Sequence, residues 1–401
     1  MRVAMIDPSL FTLPYDRALA GGLRRAGHDV TLFGRRPGSD DGAAGGVSLV
    51  PHFYRVADSR IGRKLPGPAR LGLKSLDHVV SMFSLRRRLR RDPPDVIHFQ
   101  WLPLPAVDRR LLAGFRAIAP LLLTVHDTNP FNGDPSARLQ GHGFLDSLAG
   151  FDTLIVHTAQ GQARLRDAGI PEARLALMPH GLLLDPQPRL DDPMTGPLTF
   201  VLFGKMKSYK GIDVLIQAFA AVPPALRDGA RLHVVGKPYM DLKPLRALAD
   251  RLGVGRALVI EPRFVGDAEV PGLFSPGSVA VFPYREIEAS GVLSIALACG
   301  RPVLASRLGN FAETVQDGAQ GYLVSPGDAP ALSAAMTRLL ADRTLAASCA
   351  AAARRLADMV PDWDEIGRRT AGAYQEALGR TRVHQSYPRP VRPPAAAVPP
   401  T

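Results

Sequence analysis

The chain has 401 residues, 46% hydrophobic, 6% aromatic and 21% charged, values that suit a soluble globular protein with two domains. Its two cysteines, Cys299 and Cys349, exclude a disulfide framework, no apolar run reaches membrane-spanning length, and Asp7 comes too early for a signal peptide, so the expected location is cytoplasmic. The formal net charge of +12 implies an anionic partner: nucleic acid, an acidic membrane surface or a phosphorylated substrate.

In chain order, the apolar run Arg2–Ile6 predicts a strand that ends at the turn Asp7-Pro8-Ser9. Leu19, Leu23 and Ala26 recur at spacings of three and four, which predicts a helix over Tyr15–Ala26 closed by Gly27. With a strand at Asp29–Phe33, the chain opens as a βαβ unit on a parallel sheet. Further strands are expected at Asp95–Phe99, Leu121–His126, Thr153–His157 and Leu175–Pro179, with helices at Leu76–Arg90 and Thr158–Ala168. Residues 186–197 are dominated by proline, aspartate and glycine and read as a linker.

The alternation then restarts. Strands are predicted at Leu198–Phe203, Arg231–Val235, Ala257–Glu261, Val279–Pro283 and Pro302–Ala305. Helices are predicted at Gly211–Ala221, Pro244–Leu252, Val292–Ala298, Leu332–Leu340 and Thr344–Met359, and a last one at Trp363–Leu378 capped by Asp362. The expected class is α/β, with two Rossmann-like doubly wound domains, 1–185 and 198–361, facing across a cleft. The terminal helix, 362–380, is expected to pack back toward the first domain, and the proline-rich stretch 381–401 to be disordered. Ligands in such sheets bind beyond the carboxyl ends of the strands, and clefts between domains favour them.

Four constellations sit at such strand ends. Phe203-Gly204-Lys205 through Lys210-Gly211 joins a glycine, two lysines and a helix start, a set suited to a diphosphate, although a solvated lysine loop reads equally well from spacing alone. Phe282 to Val292 carries Glu286 and Glu288, then Ser290-Gly291 ahead of an apolar helix, where Ser290 is either a phosphate site or a plain cap. His126-Asp127 ends a strand in the first half, where a histidine can reach a departing phosphate or the substrate. His180, in Met178-Pro179-His180-Gly181, reads as a hinge packing residue, and His98 and His157 as core or rim residues.

Taken in order, these motifs resemble the retaining glycosyltransferases of the GT-B fold, the group 1 or family 4 type. The likeness continues through Ala298-Cys299-Gly300-Arg301-Pro302-Val303, Gly309 to Glu313, Asp317-Gly318 and Gly321 to Val324. In the first half it rests on Gly27-His28-Asp29-Val30, Asp95 to His98, His126-Asp127 and Pro179-His180-Gly181, and it spans roughly residues 1–380. The resemblance implies transfer of a sugar, with retention, from a nucleotide-sugar donor to a glycan, lipid-linked or small-molecule acceptor. It implies no cofactor and no metal, since the nucleotide sugar is itself a substrate. Lys205 and Lys210 would neutralise the donor diphosphate beside Gly204. Ser290, Gly291 and Val292 would present N–H groups to it, and His126 would touch the sugar or leaving phosphate. Glu288, with Glu286 second, would face the sugar, and Glu313 belongs to the same substrate-binding set.

Two positions depart from the family pattern. The second of its paired glutamates falls at Ile295, and a glycine pair in the first loop is replaced by Leu13-Pro14-Tyr15-Asp16. The Ser-Gly-Val loop marks a subgroup with an aromatic-Arg sequence before it. Between Arg55 and Arg91 the chain is strongly basic, which suggests peripheral contact with anionic lipid at the inner face of the membrane or a lipid-linked acceptor; a solvated helix face reads as well. Nucleic acid is disfavoured because no aromatic residues interleave the arginines. Asp362-Trp363-Asp364 reads as a helix cap rather than a metal pair. Competing readings are a catalytically silent nucleotide-sugar binder and a sugar-nucleotide epimerase. A dinucleotide oxidoreductase is disfavoured, since no Gly-x-Gly-x-x-Gly follows the first strand.

Overall fold

A computed structural model describes residues 1–38, 47–128, 143–185, 194 and 196–386, with side chains as far as 380. Most of the expected linker and the proline-rich stretch beyond 386 lie outside the described residues. The first domain holds β1 (Arg2–Asp7), β2 (Asp29–Arg35), β3 (Ser48–Phe53), β4 (Val96–Phe99), β5 (Leu121–Val125), β6 (Thr153–Val156) and β7 (Leu175–Leu177). They form one parallel sheet in the order β3-β2-β1-β4-β5-β6-β7. The second holds β8 (Thr199–Phe203), β9 (Arg231–Val235), β10 (Leu258–Glu261), β11 (Ser278–Phe282), β12 (Val303–Ser306) and β13 (Gly321–Val324), parallel in the order β10-β9-β8-β11-β12-β13. Every residue of β5, β11 and β12 is buried, so these strands read as mostly apolar runs rather than alternating ones, as covered parallel sheets require.

Helices cover the sheet faces. In the first domain they are α1 (Leu13–Arg25), α2 (Gly67–Arg91), α3 (Pro105–Arg116) and α4 (Ala159–Asp167). In the second they are α5 (Ile212–Ala221), α6 (Lys243–Arg251), α7 (Gly291–Ala298), α8 (Gly309–Thr314), α9 (Ala329–Ala341) and α10 (Arg343–Met359), followed by α11 (Trp363–Ser386). The sequence reading omits β3, β13, α3 and α8. Strand β3 contains Pro51, which cannot donate to a ladder and is tolerated because β3 lies at the sheet edge. Helix α2 starts at Gly67 rather than Leu76, with a proline in its first turn where a missing N–H costs nothing.

The chain crosses between the domains twice. Leu182 and Leu184 pack on the second core and Leu183 on the first, and Trp363 Nε1 donates to the Leu182 carbonyl at 2.6 Å, tying the two crossings together. Helix α11 then lies on α1 and adds Ile366, Ala371, Tyr374 and Ala377 to the first core. The helices meet glycine to glycine: a Cβ on Gly22 would stand 1.8 Å from the Trp363 carbonyl oxygen, and one on Gly367 would stand 2.4 Å from the Gly22 carbonyl carbon. A glycine-to-alanine change inside a helix ordinarily gains up to about 1 kcal/mol. Gly22→Ala is expected to reverse that sign and cost about 3 kcal/mol, read from the urea midpoint, because backbone must move. A midpoint at or above that of the unaltered chain would show that α11 can slide away from α1.

Candidate active site

Each sheet reverses its strand order between its first and fourth strands, at β1/β4 and at β8/β11, where ligands of doubly wound sheets bind. Strand β8 ends at Phe203, and Gly204 follows at φ +114°, where a Cβ would lie 2.9 Å from Lys210 Nζ. Gly211, at φ +64°, packs so closely that a Cβ would stand 2.0 Å from the Pro283 carbonyl. The loop is thereby pinned to the end of β11. Lys210 is buried, and its Nζ donates to Tyr284 Oη at 2.8 Å and lies near the Phe203 carbonyl at 3.4 Å. Burial pulls this amine down to about 7, with Lys205 and Lys207 pushing the same way, and no described carboxylate pairs with it. Lys205 is exposed and its Nζ sits 4.2 Å over the ring of Phe11, which belongs to the β1–α1 loop of the other domain.

Tyr284 also engages Ser290, so Lys210, Tyr284 and the start of α7 form one connected group. The three donors expected at that helix start are not equivalent. The Ser290 N–H is taken by Asn310 Oδ1 at 3.0 Å, which corrects the expectation for that residue. The N–H groups of Gly291 and Val292, the first two of the helix, have no partner among the described residues. Ile295, where the family's second glutamate falls, packs against the core of the second domain.

Across the gap, the ends of β4 to β7 carry His98, His126, His157 and His180, the last three gathered around Tyr15. The Tyr15 ring lies 4.8 Å from His126, 5.0 Å from His157 and 5.3 Å from His180. Burial lowers all four imidazoles, His98 and His157 to about 3, so they are neutral at pH 7. His98 is a core residue, bonded to Thr124 Oγ1 and Tyr374 Oη at 2.8 Å each. Among the described residues, His126 Nε2 and His157 Nε2 are buried without a hydrogen-bond partner, the kind of orphan a ligand hydroxyl satisfies. A Cβ on Gly291 would lie 3.7 Å from the His180 ring, so the start of α7 closes against this cluster.

Below it, Asp7 and Asp16 are both fully buried, and Thr12 bridges them. Burial raises both carboxyls, Asp16 further because Asp7 lies beside it. Asp16 stands in the stretch where the family has its glycines, and Asp7, at the end of β1, holds the loop before it by accepting from Ser9 N–H and Thr12 N–H at 3.1 and 3.0 Å.

The glutamates differ from expectation. Glu288 is buried and spans the cleft: one carboxylate oxygen accepts from the N–H of Thr128 at 2.8 Å and from its hydroxyl, with Arg164 at 3.6 Å. It is thus directed at the loop after β5 rather than open to a sugar. Burial raises its carboxyl despite these contacts. Glu313 accepts from Ala159 N–H and Gln160 N–H at 2.9 Å each and so caps α4 of the opposite domain. Glu286 is exposed. Sequence reasoning did not single out Thr128, Arg164, Tyr15 or Asn310 as partners, and nothing in their local spacing marks them. Asp362 Oδ1 accepts from Glu365 N–H at 2.8 Å as a helix cap, and among the described residues no group of three His, Cys, Asp or Glu is arranged to hold a metal.

Residues 17–185 match the family model for Glycosyltransferase Family 4, and 197–342 that for Glycosyl transferases group 1. The chain is 30% identical over 329 residues to a D-inositol 3-phosphate glycosyltransferase of Acidothermus cellulolyticus, covering 75% of this chain and 71% of that one. It is 28% identical to a glycogen synthase of Mycobacterium tuberculosis, over 92% of this chain and 91% of the other. Among solved structures, the Anabaena protein HepE, crystallised with UDP and glucose, superposes with a TM-score of 0.72 at 17% identity, covering 94% of this chain and 99% of that one.

Proposed function

The chain belongs to the group 1 and family 4 glycosyltransferases and has their GT-B fold, and from that premise we propose that it moves a sugar from a nucleotide-sugar donor to a glycan, lipid-linked or small-molecule acceptor with retention of anomeric configuration. The observation that carries this reading is Lys210: a buried amine that, among the described residues, has no carboxylate partner and lies beside an open glycine and two helix N–H groups without partners. Burying an unpaired ammonium is costly, and a diphosphate offsets that cost by supplying the missing anion. The charge that develops on the leaving diphosphate then meets Lys205, Lys210 and the N–H groups of Gly291 and Val292, already in place before reaction. His126 Nε2, neutral and without a partner among the described residues, bonds a sugar hydroxyl from the facing domain. Glu288 acts as a positioning residue that fixes the loop carrying His126.

The same reading assigns no carboxylate to the ribose, because Ile295 stands at that position. A thermal-shift screen of UDP, GDP and ADP is expected to single out one nucleotide by a raised melting temperature. Turnover of the matching nucleotide sugar should release that diphosphate and give a glycoside whose anomeric proton coupling equals the donor's. An epimer of unchanged mass would overturn transfer as the reaction, an inverted anomer would overturn retention, and binding without release would leave a silent binder.

A further inference from the structure

Exposed apolar side chains concentrate in one short stretch of the first domain. Val56, Leu71 and Phe83 are exposed there, and so are Ile61 at 79% and Leu76 at 63%. Cations interleave them: no ion pair joins Arg55, Arg60, Lys64, Arg87, Arg90 or Arg91 to a described carboxylate, and all six are exposed. Helix α2 is consequently apolar on two opposite sides. Met82, Leu85 and Leu89 enter the domain core, while Leu76, Val80 and Phe83, at spacings of four and three, line the opposite side, with Arg87 one turn further on.

A helix needs one apolar stripe to pack on its own domain, and a second left in water marks a contact with something else. The position is informative too. Helix α2 follows β3, so its first turns stand at the carboxyl edge of the parallel sheet, the edge that carries His126 and His157. Tyr54, which opens this segment, bonds His78 of α2 at 3.2 Å and anchors it to that edge.

We propose that this surface docks the protein on an anionic lipid bilayer, with Leu76, Val80 and Phe83 entering the headgroup boundary and the unpaired arginines meeting lipid phosphates. Charge decides between a bilayer and a second copy of the chain: a two-fold contact through this patch would set arginines against arginines. Apolar residues have no work to do against a nucleic-acid backbone, whereas a bilayer offers acyl chain and phosphate within one shallow layer. The inference goes beyond the glycosyl-transfer reading and stands without it.

The test floats the full chain with phosphatidylcholine vesicles, with and without phosphatidylglycerol. Binding is expected only to the anionic vesicles and should weaken with salt. The triple variant Leu76→Ser, Val80→Ser, Phe83→Ser should lower partitioning about ten-fold or more. Replacing Arg87 and Arg90 with glutamine should lower it about five-fold per cation. Both variants must keep the melting temperature and the nucleotide-induced shift of the unaltered chain. No binding to anionic vesicles overturns the proposal. So does binding that survives the apolar triple variant, since the cations alone then account for it, and so does a concentration-dependent dimer that the triple variant abolishes. If nucleotide binding persists while vesicle binding fails, docking is lost and the transferase reading is untouched.

Discussion

Replacing Lys210 with methionine is expected to lower turnover by about 10²–10³-fold, the loss typical of removing one preorganised charge from a developing anion. Affinity for the nucleoside diphosphate should fall with it, while the nucleoside itself binds as before. The fold should survive, and for a definite reason. Unfolded, the amine titrates near 10.5; folded and buried, near 7. Folding therefore expels a proton between those values, so through this group stability rises as pH climbs from about 7 toward 10.5 and carries a constant penalty below 7. Methionine removes the penalty, so the variant should melt no lower at pH 7, and its stability should stop rising across that window. Diphosphate binding favours the ammonium, so at pH 8 the unaltered protein should take up a proton on binding, seen by calorimetry in buffers of different ionisation enthalpy. The variant should show none of that uptake. An unchanged affinity for the diphosphate would remove Lys210 from the site.

Glu288→Ala should cost about 10²-fold in kcat and leave nucleotide affinity nearly unchanged. The carboxylate touches Thr128 and Arg164, not the lysine loop, so what it holds is the geometry of the facing domain. Misplacing His126 by even an ångström or so is costly when the reacting groups must stay aligned. Glutamine should restore part of the rate, because its carbonyl can still accept the Thr128 N–H, though not both Thr128 donors and the Arg164 charge at once. If nucleotide affinity instead falls as far as kcat, Glu288 contacts the donor directly and the latch across the cleft is incidental.

The two glutamates show where sequence stops informing structure. The place of Glu288 after β11 is legible because strand ends announce themselves through local pattern, whereas Glu313 is reached only through the family resemblance, since the spacing predicts no helix at Gly309–Thr314. Their partners are not legible: Thr128 lies 160 residues before Glu288, and nothing in either segment encodes the pairing. The same division runs through the fold. Strands such as β11 are buried on both faces and so carry an uninterrupted apolar run, whereas β3, at an edge with Pro51 and His52 in it, carries no comparable signal. The first turns of α2 escape a periodicity search because only Leu73 of their apolar residues packs on the core, while Leu71 and Leu76 are exposed. The lysine loop was legible as chemistry, with glycine, two cations and a helix start together. Burial of one lysine and exposure of the other is a tertiary outcome that spacing does not contain.

The seam between α1 and α11 bears on how the molecule is made. Residues 363–380 fill the core begun by the first thirty or so, yet a ribosome delivers them only after the entire second domain. The half translated first is therefore the half sealed last. Until then helix α1 keeps an uncovered face at Gly22, while the later-made half can already close around its own core.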